Sequence, residues 1–520
     1  MVIAGQGIVA TSQTLASQSG ARILEMGGSA ADAAIAANAV LGVVEPMMNG
    51  IGGDLFVLYW ESKSRKLTGL NASGPAPRGL SPELLESAGM RAMPESGIHT
   101  VTVPGAVRGW AAMHGRFGKL TWDQLFASAI AYAREGFPVS EVVQELWSEP
   151  STVGRLRASP EAAAVFLPDG DAPLRQGEVF RNARLAHAYE RIARFGADDF
   201  YSGSIAQAIV NVSQSLGGTM TAADLATYAS EWVTPISTTY GGWEVFELPP
   251  NGQGMAALEM LNILEASGAA TDLHTRIEAM KLAYADVYLY NADPRTSSVP
   301  VDVLLSKEHG RERAALLSAR ASHNVTAARV PASDTVYLAA VDSEGNIASW
   351  IQSIYSSFGS AIAVDGMGFM LQNRGAGFTL DREHPNVLAG GKRPFHTIIP
   401  GFMQRGDRSI GFGIMGGANQ PLAHAQFVSN LLDGGMNLQQ ALEAPRFFKS
   451  GPSGCEVAIE SRVPERERDR LTELGHCISV RADYSQEMGR GQAVMHDAKT
   501  KVNYAASDPR SDGAAIPEAI

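Results

Sequence analysis

The residues of this chain most able to do chemistry sit at Asp334-Thr335. Thr335 opens a short β-branched and apolar run, Thr335–Val341, after the small and polar stretch Ser322–Ser333. A threonine hydroxyl can serve as a nucleophile when a base lies beside it. Taken alone, the segment equally fits an ordinary strand, because threonine is a favoured strand residue. A second pattern, Gly411-Phe-Gly413-Ile-Met-Gly416, matches the GxGxxG of dinucleotide binders, with Asp433 near the expected distance beyond. That chemistry needs a helix to start at the glycine turn and a second strand to end in the acid. Here the next helix is predicted to start at Pro421, and Asp433 sits in the turn Asp433-Gly-Gly435, so a nucleotide is not expected. No GxSxG elbow, P-loop or HExxH is present, and His384, His396 and His424 are too scattered for metal spacing. No metal or cofactor is expected.

The elements that must position Thr335 follow from patterning. Ser29 and Asp32 give a capping-box start to an Ala-rich helix reaching Val44, stopped by Pro46. Leu55–Trp60 and Lys66–Leu70 read as a hairpin, and residues 122–135, 182–195, 258–266 and 276–290 as helices. From Thr335 the texture turns strand-rich. Thr335–Val341 and Ile347–Ile354 flank the turn Asp342–Asn346, and strand-like pieces are predicted at 361–371 and 409–415. Helices return at Pro421–Leu432 and Leu438–Ala444. No internal repeat and no linker of domain-boundary length is present. The fold class expected is α+β.

Composition excludes several classes. The chain has 520 residues, 45% hydrophobic and 18% charged, enough for a large core. Its net charge of -12 and lack of any basic run argue against nucleic acid. No apolar stretch reaches the roughly 18 residues of a membrane span. The N-terminus lacks signal-peptide features, so a cytoplasmic location is expected, or a periplasmic or secreted one had a leader been trimmed. Two cysteines, Cys455 and Cys477, make no disulfide framework and no CxxC motif.

Colinear motifs then change the odds for Thr335. They include Gly7-Ile-Val-Ala-Thr-Ser12, Gly27-Gly-Ser-Ala-Ala-Asp-Ala-Ala34, Gly50-Ile-Gly-Gly-Asp54, Val103-Pro-Gly105, Thr234-Pro-Ile236 and Met280-Lys-Leu-Ala-Tyr-Ala-Asp286. Asp334-Thr335 with Val341-Asp342, Lys392-Arg-Pro394, Gly416-Gly417 and Ala506-Ser-Asp-Pro-Arg-Ser-Asp-Gly513 complete the set. In these, from about Gly7 to Ala514, the chain resembles the γ-glutamyltranspeptidase family of N-terminal-nucleophile hydrolases. The resemblance implies a four-layer αββα sandwich and a proenzyme that cuts itself between Asp334 and Thr335. The products would be a large subunit, 1–334, and a small one, 335–520, forming one intertwined domain and an αβ heterodimer able to pair further. The freed α-amine of Thr335, with an intrinsic pKa of about 8, would act as base beside the hydroxyl. Gly416-Gly417 would supply backbone N–H donors to an oxyanion, since glycine lets a substrate approach closely. Ser353 falls where the family has a threonine that hydrogen-bonds the nucleophile.

The substrate clamp departs from the family. By alignment Asn71 replaces an arginine, Tyr355 an asparagine, Gly377 the acid that binds an α-ammonium group, and Phe395-His396 a pair of serines. An ammonium without its counter-charge in a partly desolvated pocket loses on the order of 1–3 kcal/mol. Arg374 stands where a neutral residue is usual, and guanidinium geometry suits bidentate carboxylate binding. The chain from Phe378 to Pro394 is short by the family's standard, which implies an open site favouring hydrolysis over transfer. The pocket resembles those of the oxamate amidohydrolase and cephalosporin-acylase-like members. The expectation is therefore a self-processing amidohydrolase acting on a small-molecule amide whose acyl group bears a carboxylate. Two alternatives stay open: a conventional glutathione hydrolase with a rebuilt pocket, and an unprocessed, inactive binding protein.

Overall fold

The structure, a computed structural model, describes residues 1–168, 172–325 and 334–519. Most of the polar stretch Ser322–Ser333, residues 326–333, lies outside the described residues. Among the described residues the chain is a mixed helix and sheet protein whose two main sheets each have seven antiparallel strands. Across the first sheet run Val2–Ala4, Val502–Ser507, Gly491–Asp497, Arg408–Ile414, Gly401–Arg405, Trp243–Glu247 and Ile236–Tyr240. Across the second run Ala514–Pro517, Ile8–Thr11, Asp334–Val341, Ile347–Tyr355, Asp54–Glu61, Lys66–Ala72 and Glu231–Val233. Strands from before and after Thr335 thus alternate within one sheet, and neither part can complete it alone.

Alternation along these strands divides the apolar residues between two faces. In the Thr335 strand, Tyr337, Ala339 and Val341 join Phe56, Leu58 and Ile351 in an apolar layer with Phe402 and Val494 of the first sheet and with Ile398. The intervening Val336, Leu338 and Ala340 pack instead with the helix Ala30–Val44. That helix is buried along all fifteen residues, which its alanines allow by letting neighbours approach from every side. Its start is the expected capping box: Ser29 Oγ accepts from Asp32 N at 3.1 Å, and Ser29 N donates to Asp32 Oδ2 at 2.9 Å. The other outer face, on the first sheet, carries Gly254–Ser267, Leu273–Tyr290 and Gln420–Leu432. No helix among the described residues is long and apolar enough to cross a membrane.

Two sequence expectations need correction, whereas the strand expected at 409–415 is present as Arg408–Ile414. Residues 361–371 form no strand, only an isolated bridge between Ala363 and Met370, because Gly366 and Gly368 turn the chain with φ of 71° and 68°. Cys455 and Cys477 are joined in a disulfide; parallel pairing of Glu456 with Cys477 brings their Cα atoms to 5.0 Å, which a separation of 22 residues does not reveal. Gly411 and Gly413 lie inside a strand, and Gly413 is flat against the Tyr337 ring, so the glycine pattern serves sheet packing.

The glycines of Gly50–Asp54 have a more particular use. A Cβ on Gly53 would lie 2.3 Å from the Ser353 carbonyl oxygen, whereas one on Gly115, in the helix Ala106–Phe117, meets nothing within 4 Å. Gly53→Ala should destabilise the fold by about 1–3 kcal/mol, and Gly115→Ala should stabilise it by about 0.5–1 kcal/mol. Thermal midpoints of the two variants should move in opposite directions; a neutral Gly53→Ala would remove this packing argument.

Candidate active site

Thr335 is fully buried in the strand Asp334–Val341, and its placement rests on an irregularity of the sheet. Asp334 pairs with Tyr355, but Val336 pairs with Gln352, so the neighbouring strand carries one extra residue at this point. Thr335 therefore faces two residues, Ser353 and Ile354, across a β-bulge, a device that re-aims side chains beside active sites. Its Oγ1 donates to Ser353 Oγ at 3.3 Å, and Ser353 Oγ accepts from Tyr355 N at 2.8 Å. Tyr355 ends the strand with φ of 80°.

Thr335 lines a cleft of about 1060 Å³ together with Gly416, Asn373, Ala376, Ser356 and Arg490. Gly416 follows the strand Arg408–Ile414 with φ of 139°, and Gly417 has φ of 59°, conformations a Cβ would strain. Neither N–H meets an acceptor among the described residues, so both stay open to a ligand. The turn is held from behind. Gln253 Nε2 donates to Gly417 O at 2.8 Å and Thr397 O at 2.6 Å, and the Tyr284 hydroxyl bonds Ala418 O. His424 Nε2 accepts from Ile414 N at 3.1 Å, which leaves Nδ1–H to donate to Glu247 Oε1 at 2.7 Å. Burial lowers His424 to about 3, and it also pushes Glu247 well above the carboxylate range. His424 is thus neutral and fixed in one tautomer.

The residues expected to touch substrate are distributed over three environments. Gly377 and Phe395 line a second cavity of about 690 Å³, which shares Glu95 and Ala376 with the first. Arg374 and Tyr355 are buried together, with the guanidinium 4.1 Å from the ring centroid. Arg374 Nη1 donates to Thr397 Oγ1 at 2.8 Å, while its Nε and Nη2, and the Tyr355 hydroxyl, have no partner among the described residues. Burial lowers Arg374 to about 10, and it remains a cation at neutral pH. Asn71 and His396 serve the interior. Asn71 Nδ2 donates to Asn251 Oδ1 at 2.9 Å and its Oδ1 accepts from Ser73, so its amide is already occupied.

His396 belongs to a hub that sequence reasoning missed, although the Gly50–Asp54 motif contains its centre. Asp54 Oδ1 accepts from Gly74 N at 3.0 Å, Gly105 N at 3.2 Å and Gln372 Nε2 at 2.9 Å. Its Oδ2 lies 3.1 Å from His396 Nε2, which carries the proton because Nδ1 accepts from Ile398 N. Burial raises Asp54 to about 7, with the Arg374 charge and these donors opposing the rise. Burial, then the Arg374 and Arg393 charges, hold His396 well below its ordinary value. Elsewhere His274, Glu278 and His476 meet in one cluster and Glu259, Asp286 and His309 in another, but Lys281 and Arg313 already sit on their carboxylates.

A carboxyl raised from 3.8 to about 7 binds its proton more tightly in the fold than in the unfolded chain. Its contribution to stability is therefore full below about pH 4 and lost as pH rises toward 7. Asp54→Asn removes that dependence. Thermal midpoints at pH 5 and pH 8 should differ less in the variant than in the wild type, and an unchanged difference would show that Asp54 does not titrate in this window.

The family model for γ-glutamyltranspeptidase matches residues 16–518. The chain is 36% identical over 527 residues to the glutathione hydrolase-like YwrD proenzyme of Bacillus subtilis, covering 99% of each. It is 34% identical over 530 residues to the oxamate amidohydrolase proenzyme of Klebsiella pneumoniae, covering 99% of this chain and 98% of the relative. Among solved structures, cephalosporin acylase from Bacillus halodurans superposes with a TM-score of 0.93 at 41% identity, over 99% of this chain and 96% of that one. A match over nearly the whole chain, with Thr335 and the Gly416-Gly417 turn opening on one cleft, establishes that this chain belongs to the γ-glutamyltranspeptidase family of N-terminal-nucleophile hydrolases.

Proposed function

We propose that this protein is a self-cleaving amidohydrolase that removes a small carboxylate-bearing acyl group from an amide through a Thr335 acyl-enzyme. The observation that carries the reading is Thr335 held against Ser353 on the wall of the cleft that Gly416 also lines. The sheets with helices on both outer faces are read as the four-layer αββα sandwich of such hydrolases. Cleavage between Asp334 and Thr335 yields subunits 1–334 and 335–520. They stay together as an αβ heterodimer because their strands alternate in one sheet.

In this mechanism the Thr335 α-amine takes the hydroxyl proton as Oγ1 attacks the amide carbon. Ser353 orients Oγ1, and the Gly416 and Gly417 N–H groups meet the oxyanion. The amine then returns the proton to the leaving nitrogen, the C–N bond breaks, and water hydrolyses the ester by the same route. Arg374 Nε and Nη2, with the Tyr355 hydroxyl, receive the acyl carboxylate, because a buried guanidinium with two unsatisfied nitrogens is ready for a bidentate partner. The open cleft admits water, so hydrolysis prevails over transfer.

One observation favours a second reading, a conventional glutathione hydrolase. Glu95 lines both cavities and could meet an α-ammonium in place of the acid lost at Gly377.

Intact mass under denaturing conditions should show two chains meeting between Asp334 and Thr335, and one unbroken chain for Thr335→Ala. An unbroken wild type would leave a precursor or binding protein. A glutaryl amide should be cleaved at least about tenfold better than the matching γ-glutamyl amide, and Arg374→Ala should raise its KM by roughly 10–100-fold. Preference for the γ-glutamyl amide would favour the glutathione hydrolase, and an unchanged KM would sink the role of Arg374.

A further inference from the structure

Unlike Arg374, which lines neither cavity, the buried guanidinium of Arg490 lies on the cleft, and no step above uses it. It is 4% exposed, lines the cleft with Thr335 and Gly416, and immediately precedes the strand Gly491–Asp497. Its carbonyl oxygen accepts from Met415 N at 3.0 Å, and a Cβ on the adjacent Gly489 would lie 2.2 Å from Met415 O. Arg490 is therefore packed directly on the turn that carries Gly416.

Its hydrogen-bonding capacity is left open. Nη1 has no partner, and the contact of Nη2 is Met48 Sδ at 2.6 Å, a thioether and hence a weak acceptor. The nearby Glu45 feels the Arg490 charge but makes no ion pair with it, its Oε2 being taken by the Ser12 hydroxyl. Among the other charged side chains of the cleft, Arg155, Glu145 and Glu487 are engaged. Arg155 Nη2 donates to Ser357 O at 2.5 Å, Gln486 Nε2 to Glu145 Oε2 at 2.5 Å, and Arg481 Nε to Glu487 Oε2 at 2.5 Å. A desolvated guanidinium is costly to leave unpaired, and a carboxylate is the partner whose geometry fits it.

We propose that Arg490 binds a carboxylate on the amine half of the substrate, so that the preferred substrates are N-acyl amino acids rather than N-acyl amines. This rests on the amidohydrolase reading, in which Arg374 takes the acyl carboxylate; an anion receptor beside the oxyanion turn then meets the other half of the amide. The two guanidinium groups together select a substrate with a carboxylate on each side of the scissile bond. No bond changes at Arg490, whose part is positioning and selection.

The test uses the processed enzyme and two probes, N-glutarylalanine and N-glutarylalaninamide, which differ only in the charge on the amine half. Wild type should favour the acid in kcat/KM by about tenfold or more. In Arg490→Gln that ratio should fall to near one, mainly through KM, and Arg490→Lys should recover part of it. A ratio unchanged in Arg490→Gln, or a wild type that never favours the acid, overturns the proposal. Because the readout is a ratio within one protein, general loss of folded enzyme does not imitate it. If wild type cleaves neither probe, the amidohydrolase reading fails, and calorimetric titration of both probes onto wild type and Arg490→Gln decides the subsite by the same ratio in Kd.

Discussion

The buried carboxylate of Asp54 is the contact on which the rest of the site depends. It is the register partner of Ser353, and it gathers Gly74, Gly105, Gln372 and His396 from four segments far apart in sequence. Two of those segments lead to the cleft or behind it: Gln372 to Asn373 and Arg374, His396 to the Thr397 hydroxyl that holds Arg374. The geometry around the hub leaves no slack. A Cβ on Gly74 would lie 1.6 Å from Val103 O, and one on Gly105 would lie 1.9 Å from Ala72 O. Glycines crowd here because backbone must reach a single acceptor, a demand that side chains cannot meet at such distances.

The hub also explains how the Arg374 cation can be buried. Arg374 lacks a direct carboxylate partner, yet the charge of Asp54 and the face of Tyr355 both act on it. A fully paired arginine would have no free nitrogen for a ligand, and an isolated one would carry the whole desolvation penalty. An acid held at a distance, plus a ring face, is intermediate: the charge is tolerated while two nitrogens remain open. Arg490 repeats the arrangement beside Met415, with Glu45 as the distant acid and Met48 as the soft contact.

Much of the fold was legible because its signals are local. The capping box at Ser29, the stop at Pro46, and the hairpin strands around Asp342–Asn346 are written within a few residues of the features they determine. The failures share the opposite property. The Cys455–Cys477 bridge, the Glu247–His424 pair and the Asp54 hub join residues separated by 22, 177 and up to 342 positions. Periodicity carries no information about such pairs. The strand expected at 361–371 failed for a local reason, since its two glycines take left-handed conformations that interrupt pairing. Arg490 had no signal of its own, because in sequence it is one arginine between two glycines; only its packing against Met415 makes it part of the site.

On the proposed function, the residues expected to touch substrate sort by their surroundings. Asn71, in place of an arginine, has its amide occupied by Ser73 and Asn251 and so closes that corner of the pocket into core. His396, in place of a serine, turns toward Asp54, and Phe395 faces the second cavity. Asn71 and His396 thus belong to the interior and Phe395 to the second cavity, while Arg374 is a buried cation. The arrangement is coherent as electrostatics. An arginine directly beside an acid would pair with it and lose its own charge preference, and no acid stands at position 377. We propose that glycine at 377 together with a cation at Arg374 suits the pocket to an anion rather than a zwitterion, and so to a different acyl group.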